Sequence, residues 1–342
     1  MKAVRFHRHG GPEVLVYEDA PDPVFGPGDV LVRVRACALN HLDLWQRRGL
    51  DRVTIPFPHI SGADVAGEVA AVGSGVTGLE PGARVMLQPG LSCGRCVWCL
   101  SGMDNRCADY DVLGYQSPGG YAELTAVPAA NLIRLPDGVE LVAAAAFPLA
   151  FLTAWHMLIT RAGLTERDTV LVVAAGSGVG QAAVQIAKAF RARVIATAGG
   201  ADKLERARAL GADEAVDHYQ DDVVARVREW TGRRGVDVVI EHVGAATWDR
   251  SVRCLARGGR LVICGATSGH QASLDLRHLF ARQQSVIGSY MGGKPELLRA
   301  ADLFFAGALR PVIDRTFPLS EAGRAHAHLE SSAQFGKVVL TV

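Results

Sequence analysis

"VVAAGSGVGQAAVQ", residues 172–185, joins an apolar run to a glycine-rich turn and then to a helical pattern. The run starts inside "DTVLVVAA" (168–175), and 178–190 sets Ala183, Ile186, Ala187 and Phe190 along one helical face. A strand, a turn and a helix in this order form the first unit of a dinucleotide-binding sheet. The literal G-x-G-x-x-G is absent, and Gly176, Gly178 and Gly180 stand in its place. Gly178 and Gly180 would let the backbone approach a diphosphate, while the helix N-terminus offers unpaired N–H groups and partial positive charge. A glycine turn by itself is weak evidence, and the elements C-terminal to it decide the fold. Strand "RVIATA", helix "KLERARALG", strand "EAVDH", helix "VVARVREW" and strand "VDVVIEHVG" come next. Helix "TWDRSVRCLARGG", strand "RLVICGA" and the helix–strand pair "LRHLFARQQSVIGS" complete the series. Alternation of this length predicts an α/β fold with a doubly wound parallel sheet and right-handed connections.

The flanks follow a different grammar. From Lys2 to Pro128 short β-runs are separated by Gly and Pro. Among them are "DVLVRVRACALN" (29–40), with its apolar–polar alternation, and "PGARVMLQPG" (81–90). Frequent turns between short strands predict a compact, irregular barrel. "AAAAFPLAFLTAWHMLI" reads as a buried helix, and the tail from Pro311, including "GKVVLTV", is expected to return to the first domain. The expected division is residues 1–147 with 289–342 for the β-rich domain, and 148–288 for the dinucleotide domain.

Bulk properties exclude several classes. The net charge is +1 with 21% charged residues, so no overall field recruits nucleic acid or an anionic membrane. "MKAVRFHRHGG" has charge but no hydrophobic stretch behind it, and no run of about eighteen apolar residues, the length of a membrane span, exists. The expected location is therefore the cytoplasm.

"SCGRCVWCLSGMDNRC" (92–107) holds four of the seven cysteines, Cys93, Cys96, Cys99 and Cys107, as C-x2-C-x2-C-x7-C. Independent disulfides fit this spacing poorly, and an odd total in a reducing cytosol favours metal ligation. Four thiolates close a tetrahedral zinc site and leave no position open for substrate. The lobe at about 90–110 is thus expected to hold one structural zinc. Cys37, Cys254 and Cys264 stand singly in apolar contexts and read as buried core.

Folds specific for NAD carry Asp or Glu at the end of the second strand to bind the ribose. Here "VIATAGGADK" (194–203) has Ala198 at that point, and Asp202 falls where a helix cap is expected. Thr197, Gly199, Gly200 and Lys203 leave room and charge for a 2′-phosphate. NADPH is the expected cofactor, with NAD possible.

On these features, together with "GADVAGEVAAVGSGV", "GVDVVIEHVG" and "FGKVVL", the whole chain resembles the medium-chain dehydrogenase/reductase superfamily, of the zinc-binding alcohol dehydrogenase and quinone oxidoreductase type. The resemblance implies a GroES-like catalytic domain, a Rossmann domain, an active site in the cleft between them, and a homodimer or homotetramer acting on a small molecule. It carries cofactor binding to His41, Thr153, Gly176, Ser177, Gly178, Val179, Gly180, Thr197, Lys203, Tyr219, Val243 and Gly265. A solvent-facing role for His41 is the equal alternative.

The catalytic zinc of such alcohol dehydrogenases is another matter. Their C-x-x-D reads "NHLD" here, giving Asn40 and Asp43, and their G-H-E reads "GAD", giving Gly62, Ala63 and Asp64. The third ligand aligns near Leu149, and Leu42 replaces the proton-relaying Ser or Thr. Asn40 is similar to the zinc-free quinone and enone reductases, some of which have Tyr where Trp45 stands. Asn40, Asp43 and Trp45 are the catalytic candidates, with water or the Trp45 edge orienting substrate. The expected activity is reduction of quinones or activated C=C or carbonyl compounds. A non-standard metal site from His41, Asp43, His59 and Asp64 would instead give an alcohol or aldehyde dehydrogenase. A nucleotide-binding protein with little turnover is the reading from another class. His326 and His328, in "GRAHAHLE", read as a solvated helix face.

Overall fold

In the computed structural model, which describes residues 1–50 and 53–342, the apolar run becomes strand Thr169–Val172, buried along its whole length. It lies inside a six-stranded parallel sheet, paired with Arg193–Ala198 on one side and Val236–Glu241 on the other. Glu214–Asp217 lies outside Arg193–Ala198, while Leu255–Ile263 and then Ser285–Gly288 extend the far side. In chain order the strands run third, second, first, fourth, fifth, sixth. The order reverses between Thr169–Val172 and Val236–Glu241, and ligands of such sheets bind beyond the strand ends at that reversal. Central strands covered on both faces require continuous apolar sequence, which "VLVV" and "VDVVI" supply.

One helix ends earlier than its pattern suggests. Helix Trp248–Cys254 stops before "LARGG", which joins the fifth strand, Leu255–Ile263. Leu255 and Ala256 are buried against the sheet, and Gly258 at φ 72° forms the bulge where the register shifts. Two successive glycines lack the helix propensity to carry the helix through that point.

The chain divides into two units, Met1–Leu149 with Gly293–Val342, and Ala150–Gly292. The first is built on a seven-stranded sheet centred on Asp29–Ala38 and Asp64–Val72. Val30, Val32 and Val34 enter the core while Arg33 and Arg35 face solvent, as their alternation requires. Gly67 sits where the two strands press together, and a Cβ there would lie 2.0 Å from the Arg33 carbonyl oxygen. The tail strand Lys337–Thr341 pairs antiparallel with Asp29–Ala38 and parallel with Ile313–Pro318. Val338 and Leu340 thereby join the core of Val30, Val32, Val65 and Tyr121. The run read as one buried helix is two, Leu141–Ala146 and Pro148–Trp155, and a π-helical stretch, His156–Arg161, follows the second. Pro148 opens the second helix, where its missing N–H costs nothing. Among the described residues no helix is long and apolar enough to cross a membrane.

Candidate functional site

Asn40 caps helix His41–Arg48 in the first unit, its N–H donating to Asp43 Oδ2 at 2.7 Å. Its side chain belongs to a polar triangle. Asn40 Nδ2 donates to Asp64 Oδ2 at 3.0 Å, and Lys337 Nζ donates to Asn40 Oδ1 at 2.7 Å and to Asp64 Oδ2 at 2.9 Å. The Lys337 and Asp64 side chains are 2% and 0% exposed. An ammonium only donates and a carboxylate only accepts, so the Asn40 amide has one permitted orientation. Asp64 Oδ1 accepts the Leu149 N–H at 2.8 Å, which completes its shell. Sequence reasoning misses Lys337, whose one signal is a lone cation in the apolar run "GKVVLTV".

Asp43, a catalytic candidate of the sequence, is buried and engaged by neighbours on two sides. It is 1% exposed and accepts the Tyr121 hydroxyl at 3.1 Å, and burial pushes its carboxyl up to about 6. Tyr121 in turn meets His326 Nε2 at 3.2 Å, and His326 Nδ1 meets Arg47 Nη1 at 3.1 Å. A guanidinium only donates, so Nδ1 accepts and Nε2 carries the hydrogen. Arg47 also pairs with Glu330. His326 is therefore core rather than a solvated face: burial, with Arg47 beside it, pushes the imidazole down to about 3. His328 bonds Asp314 at 2.8 Å. Trp45 and His41 are half-buried.

Among the described residues, His41, Asp43, His59 and Asp64 do not gather as a metal-ligating group. Asp64 and Asp43 are committed as described, and His59 Nε2 faces the Gly114 carbonyl at 3.0 Å. Among the described residues, only Cys93, Cys96, Cys99 and Cys107 bring metal-ligating atoms together, all within 4.8 Å of one another. Their Sγ separations include 3.9 Å for Cys93–Cys99 and 3.5 Å for Cys96–Cys99. A zinc with bonds near 2.3 Å needs a sulfur tetrahedron of about 3.8 Å edge. The donor set fits that ion.

In the second unit the glycine turn is held by side chains. Ser177 caps helix Gly178–Ala189, its Oγ accepting the Gly180 N–H at 2.9 Å. A Cβ on Gly180 would lie 2.4 Å from the Ala174 carbonyl oxygen, so only glycine closes the turn. The left-handed residue here is Ala174 at φ 50°, not a glycine. Thr197 explains how it is held: its Oγ1 accepts the Ala174 N–H at 3.0 Å and meets His218 Nδ1 at 3.2 Å. Thr197, expected to line a 2′-phosphate pocket, is instead buried and spent on the turn. Gly176 is buried, and Ser177, Gly178 and Val179 are half-buried.

Ala198 stands level with Asp217 on the neighbouring strand. The Tyr219 and Gly200 N–H groups donate to Asp217, each at 2.9 Å, and hold its carboxyl below the usual range. Burial above all, and then Arg250, hold His218 below its ordinary value, against the opposing charge of Asp217. The Tyr219 ring crosses Gly199 and is 77% exposed. Thr153 Oγ1 is buried with no hydrogen-bond partner among the described residues, and the Val243 N–H donates to Glu241. Gly265 lies against His242, which falls within "GVDVVIEHVG" (235–244) but has no role assigned from the sequence. His242 Nε2 is 2.9 Å from Ser177 Oγ.

The zinc-binding dehydrogenase family profile matches residues 178–306, and the alcohol dehydrogenase GroES-like domain profile matches 26–137. The chain is 34% identical to the quinone oxidoreductase of Pseudomonas aeruginosa, over 99% of both chains. It superposes on the crystal structure of an NAD-dependent alcohol dehydrogenase with TM-score 0.97 and 49% identity, over 100% of both chains. A crotonyl-CoA carboxylase/reductase solved in complex with NADP gives TM-score 0.91 at 26% identity, covering 100% of this chain and 95% of the other.

The triangle has a measurable energetic consequence. Lys337→Met strands the Asp64 charge in the interior and should cost about 3–5 kcal/mol, whereas adding Asp64→Asn should recover most of the loss. Urea unfolding of both variants checks this, and a single variant as stable as the parent would refute the buried pair.

Proposed function

Since the chain belongs to the medium-chain dehydrogenase/reductase superfamily, we propose that it is an NADPH-dependent reductase of quinones or of activated C=C and carbonyl compounds. The Asp64–Lys337–Asn40 triangle carries this reading. At the positions of the usual catalytic-zinc ligands stand Asn40, Ala63 and Leu149, and the adjacent carboxylate, Asp64, has an ammonium at 2.9 Å. A divalent cation would face that ammonium in a buried, weakly screened setting. Oxidation of a simple alcohol depends on stabilising its alkoxide, which a metal ordinarily does. A conjugated acceptor needs only positioning and a hydrogen bond, because added charge spreads onto its carbonyl oxygen. Asn40 has a donor for that bond: its second Nδ2 hydrogen reaches only toward the Ala38 carbonyl, at 3.5 Å. Trp45 would orient the substrate from the next turn.

The nicotinamide, when bound, supplies the hydride. Gly176, Ser177, Gly178, Val179 and Gly180 would hold its diphosphate, and the Thr153 hydroxyl, without a partner among the described residues, would line its remainder with Val243 and Gly265. His41 is a further proposed contact for the cofactor. Ala198 in place of a ribose-binding acid, with Lys203 in the helix that follows, supports a 2′-phosphate. NAD is the second reading, favoured by Asp217 level with Ala198. Its carboxylate, though, is already engaged by two backbone N–H groups.

The four-cysteine lobe would hold one structural zinc. An odd total of seven cysteines, four of them gathered as metal-ligating thiols, supports a cytoplasmic location. A net charge of +1 argues against nucleic-acid or membrane partners. A second copy of the chain is the proposed partner, supported by the edge strand Ser285–Gly288 and the exposed Phe280, Val286 and Tyr290 nearby.

Activity, cofactor choice and metal content can each be measured. Steady-state assays should show NADPH-dependent reduction of enones or quinones that survives mild chelation, with ethanol and benzyl alcohol oxidised slowly or not at all. Chelator-sensitive alcohol oxidation by the folded protein would overturn the reading, and tight nucleotide binding without turnover would favour the nucleotide-binding protein. Binding titrations should place NADPH ahead of NADH. Lys203→Ala should weaken NADPH about tenfold and NADH hardly at all, and NADH binding more tightly would reverse the assignment. Elemental analysis should give one zinc per chain, with Cys99→Ser lowering both zinc content and melting temperature.

A further inference from the structure

The bond between His242 and Ser177 spans the point at which the order of the parallel sheet reverses. Ser177 follows the first strand, Thr169–Val172, and His242 follows the fourth, Val236–Glu241, its neighbour across the reversal. We infer that His242 is a positioning residue for the cofactor: donating from Nε2 to Ser177 Oγ, it aims the Ser177 hydroxyl hydrogen at the cofactor diphosphate. The inference rests on the dinucleotide reading of the proposed function.

Hydrogen-bond capacity limits what Ser177 can do. A serine hydroxyl has two lone pairs and one hydrogen. One lone pair of Ser177 accepts the Gly180 N–H at 2.9 Å, as the helix cap. His242 Nε2, also at 2.9 Å, either takes the Ser177 hydrogen or fills the second lone pair. In the second case both lone pairs are used and the hydrogen must point away from them. At the N-terminus of a twelve-residue helix, beside a turn that only Gly180 can close, the group it would meet is an anion.

What permits the second case is the other side of the ring. The hydrogen bond at one imidazole nitrogen ordinarily fixes the protonation of the other. His242 is 8% exposed, yet its Nδ1 has no hydrogen-bond partner among the described residues. Its neighbour Glu241 does not fix it, since both carboxylate oxygens are spent on the Val243 and Gly244 N–H groups and the Thr247 and Ser251 hydroxyls. The tautomer therefore follows Ser177. When a diphosphate oxygen accepts the hydroxyl hydrogen, the imidazole proton resides on Nε2, with no change in net charge.

The test uses the full chain and three probes: ADP-ribose and NADPH, which carry the diphosphate, and 2′-AMP, which does not. His242→Phe should weaken ADP-ribose and NADPH about tenfold, the worth of one charge-assisted hydrogen bond, and leave 2′-AMP unchanged. Ser177→Ala should do the same, the double variant should be no weaker than either single one, and His242→Gln, which keeps an N–H donor, should recover most of the affinity. Unchanged ADP-ribose binding by His242→Phe, or losses that multiply in the double variant, would overturn the inference. Should that variant fail to fold, ¹⁵N spectra of the unaltered protein decide: in the ADP-ribose complex the His242 hydrogen is expected on Nε2, and finding it on Nδ1 is fatal. If the unaltered protein binds none of the probes, the dinucleotide reading itself falls.

Discussion

The first unit depends on one buried ion pair. Asp64 and Lys337 lie 273 positions apart in sequence, and neither charge reaches water. Each alone would carry a desolvation cost of several kcal/mol, and together they remain buried because every strong acceptor finds a donor. The Asn40 amide completes the arrangement by presenting its oxygen to the ammonium and its nitrogen to the carboxylate. Helix His41–Arg48 starts at Asn40, and its inner face leads through Asp43 and Tyr121 to His326 and Arg47. A single electrostatic constraint thus joins a helix start, two strands of the sheet and the tail.

The glycine turn of the second unit is held differently, by neutral side chains from adjacent strands. Thr197 supplies an acceptor for Ala174, which keeps a left-handed conformation unusual for a residue with a Cβ. Ser177 and His242 close the turn from the other side. Small residues let the chain approach a ligand, but the neighbouring strands fix where it approaches. Preorganisation of this kind lowers the ordering cost of binding.

The alternating strands and helices are legible in the sequence because a doubly covered parallel strand and an amphipathic helix leave different periodicities. The cysteine lobe is legible because ligand spacing is a local property. Lys337 is not, since its meaning depends on two residues brought to it by strand pairing. His326 misleads because its helix carries Arg324 and His328 beside it, and the partners that bury it, Tyr121 and Arg47, are remote in sequence. Thr197 is assigned outward because the sequence does not say which way the strand end faces. Leu255 reads as helical because "CLARGG" keeps helical apolar spacing until its glycines. Local chemistry is visible, and long-range pairing is not.

The division of the first unit also sets an order of events at the ribosome. Residues 150–292 form a contiguous piece that can fold once it has emerged. The sheet containing Asp64 must wait for Lys337, and at about 5–20 residues per second that interval is roughly a quarter of a minute to a minute. Throughout it the carboxylate has no cation, and the Ala36–Ala38 end of the strand Asp29–Ala38 lacks its tail partner. The nascent chain therefore exposes an unfinished sheet for most of its synthesis, and chaperone demand should concentrate on that half of the molecule.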